Sequence, residues 1–321
     1  MKRYNVIKLN FLTPLHIGTG KENYDFSSSE LHSDTLTAAL AAIKVQQMDN
    51  SNEIEQFLSS FRLSSAFPYA YNSYYLPRPM GLLQTEGNND ALRKRLKAVK
   101  YLEKDLWSNY VQGEKLEINE TVICGEFMNK GKEAMQPYIN QVSQRVTVPR
   151  CDNADAEPFF FDWRFFQKDS GLYCITDAQG DLYAELLQLF AQLGELGIGT
   201  DRNVGGGKFE VESDTIELPE VKDANATLIL SLYLPTEEEL QNLGLETSRY
   251  SLTLRGGYMA GSDREEYRHL WKKNVYMFDV ASYFSAGLEL NGKIVDLRPN
   301  WDEPMHPVYR SGKPFYLPIK I

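Results

Sequence analysis

At 321 residues the chain has room for two domains of ordinary size, and a hydrophobic fraction of 42% excludes global disorder. A formal net charge of −10 excludes a protein that coats nucleic acid by bulk attraction, while leaving room for a local basic groove. No apolar run is long enough to span a bilayer, and Met1-Lys2-Arg3-Tyr4-Asn5 leads into an alternating pattern rather than a signal peptide; three scattered cysteines, Cys124, Cys151 and Cys174, show no metal-site spacing and suit a reduced, cytoplasmic compartment.

Tyr4 to Leu12 alternates as a half-buried strand does and exits through Thr13-Pro14-Leu15-His16-Ile17-Gly18-Thr19-Gly20. Ser33 or Asp34 is placed to N-cap a helix carrying Leu36, Ala39, Leu40 and Ile43. Phe61 to Ala70 reads as a second strand, and Tyr74 to Gly81 as a proline-stiffened extended piece. Ala91 to Trp107 reads as one basic amphipathic helix, a solvated face or a contact for RNA or an acidic partner. In the polar stretch that follows, Gln141 to Arg150 suggests a strand or hairpin bearing Arg145 and Arg150. Phe159–Phe166 and Gly171–Thr176 are expected to pair as strands, and Asp181 to Leu196 to form an apolar helix.

The stretch from Gly194 to Glu210 holds six glycines with Arg202, Asn203 and Lys208, between that helix and a strand starting at Lys208. Glycine allows positive φ and close approach of backbone to a ligand, and successive amides in such a turn form a nest for anions. A Walker loop is excluded because Phe209 follows Gly207-Lys208, and a dinucleotide fingerprint because the order is helix, glycines, strand. A phosphate held here therefore belongs to a polymer backbone. The strand–helix–strand–strand–helix–strand order fits one ferredoxin-like unit with a large insertion. A boundary falls in the charged run Glu217 to Ala226. Beyond it, Thr227–Leu234, Ser251–Tyr258, Val275–Phe278, Ser282–Ser285 and Lys293–Leu297 read as strands, with a helix-like connection over Asp263–Lys273 and alternation from Val308 to Ile321.

Several pieces occur in a fixed order: Leu15 to Gly20, Ser33 to Leu40, Ser65-Ala66-Phe67-Pro68-Tyr69, Tyr75-Leu76-Pro77-Arg78-Pro79, Leu196 to Phe209, Tyr276-Met277-Phe278, Ser282-Tyr283-Phe284, Gly292 to Pro299 and His306 to Arg310. This set closely resembles the fourth-subunit family of the Csm complex, the type III-A CRISPR effector, within the RAMP superfamily. The resemblance implies an α+β fold of two ferredoxin-like (RRM-like) domains. Residues 1–216 would form the first, with a thumb-like insertion over about 85–157, and residues 217–321 a smaller second one. It implies a non-catalytic, cytoplasmic RNA-binding subunit that needs no metal or cofactor. Such a subunit holds the 5′ tag of crRNA and contacts the large polymerase-like subunit and the backbone RAMP subunit.

Carried over by position, the resemblance puts Gly197, Gly199, Arg202, Asn203, Gly205, Gly206, Gly207 and Lys208 on an RNA-facing loop. His16, Gly18, Thr19 and Gly20 lie where the first strand exits toward RNA. Ser33, Asp34 and Thr35 open a helix whose amides suit a phosphate. Gln144, Arg145, Thr147 and Arg150 match the thumb, and Arg255, Gly256, Gly257 and Tyr258 match a turn of the second domain. Tyr258 and Phe284 are candidates for stacking on bases. The chain departs from the family pattern at Thr200 and Ala281, where glycine is usual. Alternatives are a crRNA-processing endoribonuclease using His16 as base, a target-cutting subunit using Asp25 and Asp34 on a metal, and an interaction protein with no RNA contact.

Overall fold

The computed structural model describes residues 1–18, 30–48, 53–85, 93–117, 123–131, 135–148, 156–259, 262, 264–285, 287–301 and 305–321. Thr19, Gly20, Asp25 and Arg150 lie outside them, as does the side chain of Thr147.

The first half is built on β1 (Lys2–Phe11), α1 (Ser33–Val45), α2 (Ile54–Ser59), β2 (Phe67–Ala70) and β3 (Ser73–Pro77), followed by α3 (Arg93–Ala98), β4 (Tyr101–Glu103) and α4 (Lys104–Tyr110). Next come β5 (Ile123–Cys124), β6 (Phe127–Met128), β7 (Tyr138–Thr147), β8 (Glu157–Phe166), β9 (Ser170–Thr176), α5 (Gly180–Leu196) and β10 (Phe209–Leu218). One eight-stranded sheet runs in the order β10-β1-β9-β2-β3-β4-β6-β5. Its first four strands are mutually antiparallel, with α1 and α2 between β1 and β2 and α5 between β9 and β10.

Side-chain alternation divides this sheet into two buried faces. Ile7, Leu9, Leu172 and Cys174 point with Phe209 to the helices and meet Leu36, Leu40 and Ile43 of α1 and Leu186, Leu189, Phe190 and Leu193 of α5. Val6, Tyr173, Ile175, Phe67 and Tyr69 belong to the opposite face. That face is covered partly by the additional strands and partly by the second half of the chain, through Leu228, Leu230, Leu232, Met277, Phe315 and Leu317. The residues on either side of position 217 thus share one apolar cluster. Burial on both faces explains why β9 is buried at every position.

The second half contains β11 (Ala226–Ile229), α6 (Glu237–Asn242), β12 (Leu252–Arg255), β13 (Val275–Phe278), β14 (Tyr283–Ser285), β15 (Ile294–Asp296), β16 (Tyr309–Ser311) and β17 (Tyr316–Ile319). The strands form a three-stranded sheet in the order β14-β11-β17 and two ribbons, β12-β13 and β15-β16. Thr236 and Glu239 close a reciprocal capping box at the start of α6.

Several elements differ from the reading of the sequence. The basic stretch 91–107 is not one helix: Tyr101–Glu103 is drawn into the sheet beside β3 and β6, with Val99 and Leu102 fully buried, so α3 and α4 are separate. β8 pairs with β7 rather than with β9, because β9 is taken up between β1 and β2. Within 264–273 the helical content is one 3₁₀ turn, Glu265–Tyr267. The helix at Ser33 takes His32 as its N-cap and has no side-chain cap, so neither Ser33 nor Asp34 fills that role.

Candidate nucleic-acid interface

Helix α5 ends because Gly197 adopts φ 79°, its amide donating to the Leu193 carbonyl at 2.8 Å. The chain then turns through Gly199 at φ 93° and Asp201 in the left-handed region, makes a 3₁₀ turn over Arg202–Val204, and leaves through Gly205 and Gly207 at φ 87° and 70°. The Ile198 amide donates to the Gly207 carbonyl at 2.9 Å and closes the loop. Thr200, Gly207 and Lys208 donate to the His16 carbonyl (3.0 Å), the Pro14 carbonyl (2.8 Å) and Thr13 Oγ1 (2.8 Å), which stitches the loop to the exit of β1. A Cβ at Gly197, Gly199 or Gly207 would lie 2.6, 2.3 or 1.9 Å from a carbonyl oxygen. These three glycines therefore serve close packing of backbone on backbone.

That stitching uses most of the amides an anion nest would offer. Within the loop, Gly199, Asp201, Arg202 and Asn203 keep amides that make no hydrogen bond among the described residues. Around them, Arg202, Asn203 and Lys208 expose their side chains. Thr200 is not among the positive-φ residues, so its Cβ costs the backbone nothing, and its methyl lies where a Cβ on Gly18 would be, 2.8 Å away. Ala281 keeps φ 66° in spite of its side chain, a conformation that glycine adopts freely.

The β7–β8 hairpin closes the other side of the β1 exit, where Leu15 and Arg164 exchange backbone hydrogen bonds of 3.0 and 2.9 Å. His16 is 1% exposed, and its Nδ1 lies 2.7 Å from the Asp162 carbonyl. A carbonyl only accepts, so Nδ1 is the donor and Nε2 of the neutral ring carries the lone pair. Its ring packs on Phe161 at 4.3 Å and beside Trp163 at 6.4 Å. The Arg145 guanidinium covers both rings at 4.6 and 5.3 Å, and Trp163 reaches to within 2.7 Å of where a Cβ on Gly206 would stand. Hairpin, exit and glycine loop are thus one packed unit: Arg145, Phe161 and Trp163, His16, Gly206. Gln144 is exposed on the same hairpin. Trp163, the link between the hairpin and the loop, is absent from the sequence-derived set; its alternation with Phe161 along β8 is the signal that points inward.

Other expected contacts lie elsewhere. The Asp34 carboxylate is fully buried and takes Arg255 through Nε at 2.8 Å and Nη2 at 3.0 Å, with Arg310 Nη1 on the same oxygen as Nε. Arg255 also donates to Thr35 Oγ1 at 2.8 Å. Ser33 is buried, with its Oγ accepting from the Leu232 amide at 3.0 Å. Ser33, Asp34, Thr35 and Arg255 therefore tie the two halves together instead of offering a phosphate site, because the Ser33 amide donates to Ser65 Oγ at 3.0 Å, the Thr35 amide to the His32 carbonyl at 3.1 Å, and the Arg255 guanidinium to Asp34 and Thr35. Burial lowers the pKa of Arg255 and brings that of Arg310 down to about 10. Phe284, at 1% exposure, packs against Phe278 and Tyr233, so no base reaches its face. Gly256 and Gly257 turn the chain after β12, and Tyr258 stacks on Trp271 with ring centroids 4.1 Å apart.

Among the described residues, one group of side chains brings metal-ligand atoms within 4.8 Å of one another: Glu30, His32 and Asp279. Burial raises the Glu30 pKa and lowers that of His32, favouring the neutral form of each, and Asp279 already accepts the Val280 amide at 2.8 Å. Asp34, the other carboxylate considered for a metal, is committed to its arginines.

Comparison with known proteins follows the same division of the chain. The family "RAMP superfamily" matches residues 8–210, and the family "CRISPR Csm4 C-terminal domain" matches residues 222–319. The chain is 26% identical over 323 residues to "CRISPR system Cms protein Csm4" of Streptococcus thermophilus, covering 95% of this chain and 96% of that protein. It is 25% identical over 306 residues to the protein of the same name from Mycobacterium tuberculosis (strain ATCC 25618 / H37Rv), covering 94% and 93%. In fold it matches a chain of the crystal structure of a Csm1–Csm4 cassette in complex with cA4, at a TM-score of 0.65 and 20% identity over 100% of this chain and 99% of that one. A chain of the Csm3–Csm4 subcomplex in the type III-A CRISPR-Cas interference complex matches at a TM-score of 0.65 and 16% identity, with 100% of both covered. With the superfamily match spanning well over half of the sequence and the Csm4-type match continuing beyond it, the chain belongs to the RAMP superfamily of CRISPR proteins.

Proposed function

We propose that this chain is a non-catalytic RNA-binding subunit of a type III-A CRISPR effector complex, acting in the cytoplasm. It holds the 5′ tag of crRNA and bridges the large polymerase-like subunit to the backbone RAMP subunit. One observation carries the reading: the exposed side chains of Arg202, Asn203 and Lys208 stand on a loop packed against the β1 exit and against the hairpin that bears Arg145. Charge-assisted donors beside free amides suit the phosphates of a single strand. The strand order β10-β1-β9-β2, with helices in the two crossovers, supports a ferredoxin-like first domain over residues 1–216, with the insertion about 85–157 as its thumb. The second, smaller domain at 217–321 is read from its own sheet. Solved complexes that pair similar chains with Csm1 and Csm3 support the choice of partners.

The endoribonuclease alternative asks His16 to abstract a proton from RNA, and a general base must reach that proton. At 1% exposure, behind Phe161 and Trp163, the imidazole is placed as a packing residue.

The test is Arg202→Ala with Lys208→Ala, measured in the assembled complex by crRNA capture across a salt series. The double variant should weaken capture and lower the slope of log K against log salt by about 1.4, at roughly 0.7 per phosphate contact to a single strand. Unchanged affinity and slope would refute the loop assignment.

A further inference from the structure

Trp271 is 59% exposed, whereas Trp107 and Trp163 are buried. Its ring is held in place by Tyr258, with centroids 4.1 Å apart and planes 38° apart, and by a β-bridge between the same two residues. The bridge is extended by hydrogen bonds from the Lys272 amide to the Gly257 carbonyl (2.9 Å) and from the Met259 amide to the Leu270 carbonyl (3.0 Å). An aromatic face that is both exposed and fixed in position offers a flat partner a surface to stack on without loss of side-chain freedom. Beside it stands Lys273, exposed and in no ion pair among the described residues, whereas Lys272 is half-buried near Arg255. Gly257 adopts φ 98° and, among the described residues, has nothing within 4 Å of where a Cβ would stand. On a chain of net charge −10, the exposed Lys273 beside an exposed indole favours an anionic ligand with a flat apolar part.

We infer that Tyr258 and Trp271 form a stacking platform for one unpaired nucleobase of single-stranded RNA, with Lys273 on a neighbouring phosphate. The platform is separate from the glycine loop, and it rests on the RNA-binding reading above. A nucleotide fits both halves of the surface: the base covers the indole, and the phosphate meets the ammonium group. An acidic protein segment would meet the lysine but leave the indole face without a matching planar group.

The probe is a fluorescein-labelled 12-nucleotide single-stranded RNA of mixed sequence, titrated by anisotropy into the full-length chain. Trp271→Ala should weaken binding about 5- to 150-fold, the range for loss of one base stack, and Trp271→Phe should recover most of it. An abasic nucleotide stepped along the RNA should, at one position, abolish the difference between wild type and Trp271→Ala. A merely structural role for the indole would show no such position. Trp271→Ala binding like wild type, while Arg202→Ala with Lys208→Ala binds weakly, overturns the platform and leaves the loop assignment standing. Absence of RNA binding by the wild type overturns both. Retained RNA affinity with lost capture of a protein subunit in the assembled complex also overturns the platform and gives this surface to protein.

Discussion

Gly207 and Gly205 both adopt positive φ, 70° and 87°, yet a Cβ at Gly207 would sit 1.9 Å from the Ile198 carbonyl oxygen, while none of the described residues lies within 4 Å of one at Gly205. Gly205→Ala bears only the left-handed conformation, about 1–2 kcal/mol. Gly207→Ala adds a clash with backbone that cannot swing aside, for about 2–5 kcal/mol in total. Urea midpoints of the two variants measure this, and equal losses would contradict the packing role assigned to Gly207. The glycine cluster was legible as a loop from composition. Which of its glycines face backbone and which face solvent was not, since that depends on how the loop closes on itself, Gly197 against Gly206 and Gly207 against Ile198, and on the distant His16 carbonyl that faces Gly199.

The β7–β8 hairpin shows how an element acquires its role from what it touches. Its inner side carries Phe161 and Trp163 against His16 and Gly206, and its outer side exposes Val142, Val146 and Phe160. Truncating Trp163, at 8% exposure, removes the contact that presses on the loop, at about 3–5 kcal/mol if the site does not collapse. Amide hydrogen exchange should then accelerate at Gly206, Gly207 and Lys208 more than along β10; uniform acceleration over the whole chain would mean that the hairpin does not hold the loop specifically. The sequence indicated a strand bearing Arg145, but not its partner. Phe159–Phe166 and Gly171–Thr176 are both β-like, and only competition for the edges of β1 and β2 sends the second into the sheet and leaves the first to β7. The basic run 91–107 was divided in the same way, because pairing of Tyr101–Glu103 with β3 and β6 outweighs local helical periodicity.

Across the whole molecule, the two halves are joined by a shared apolar cluster and by the buried Asp34 between Arg255 and Arg310. Asp34→Asn keeps the volume and removes the charge, stranding two guanidiniums; an effect of about 3–5 kcal/mol is expected. The wild type should melt in one calorimetric transition with matching van't Hoff enthalpy, whereas two resolved transitions would show that the halves have separate cores. What the sequence alone determined was local or ordered along the chain: the alternation of β1, the helical period of α5, the glycine turn that ends it, and the succession of motifs that resembles the RAMP superfamily. These depend on neighbours a few positions apart. The tertiary structure decided what depends on distant partners. It buried His16 and Phe284, committed Ser33, Asp34 and Arg255 to the contact between halves, and left Trp271 in solvent, because burial and charge pairing are set by which surfaces meet in space.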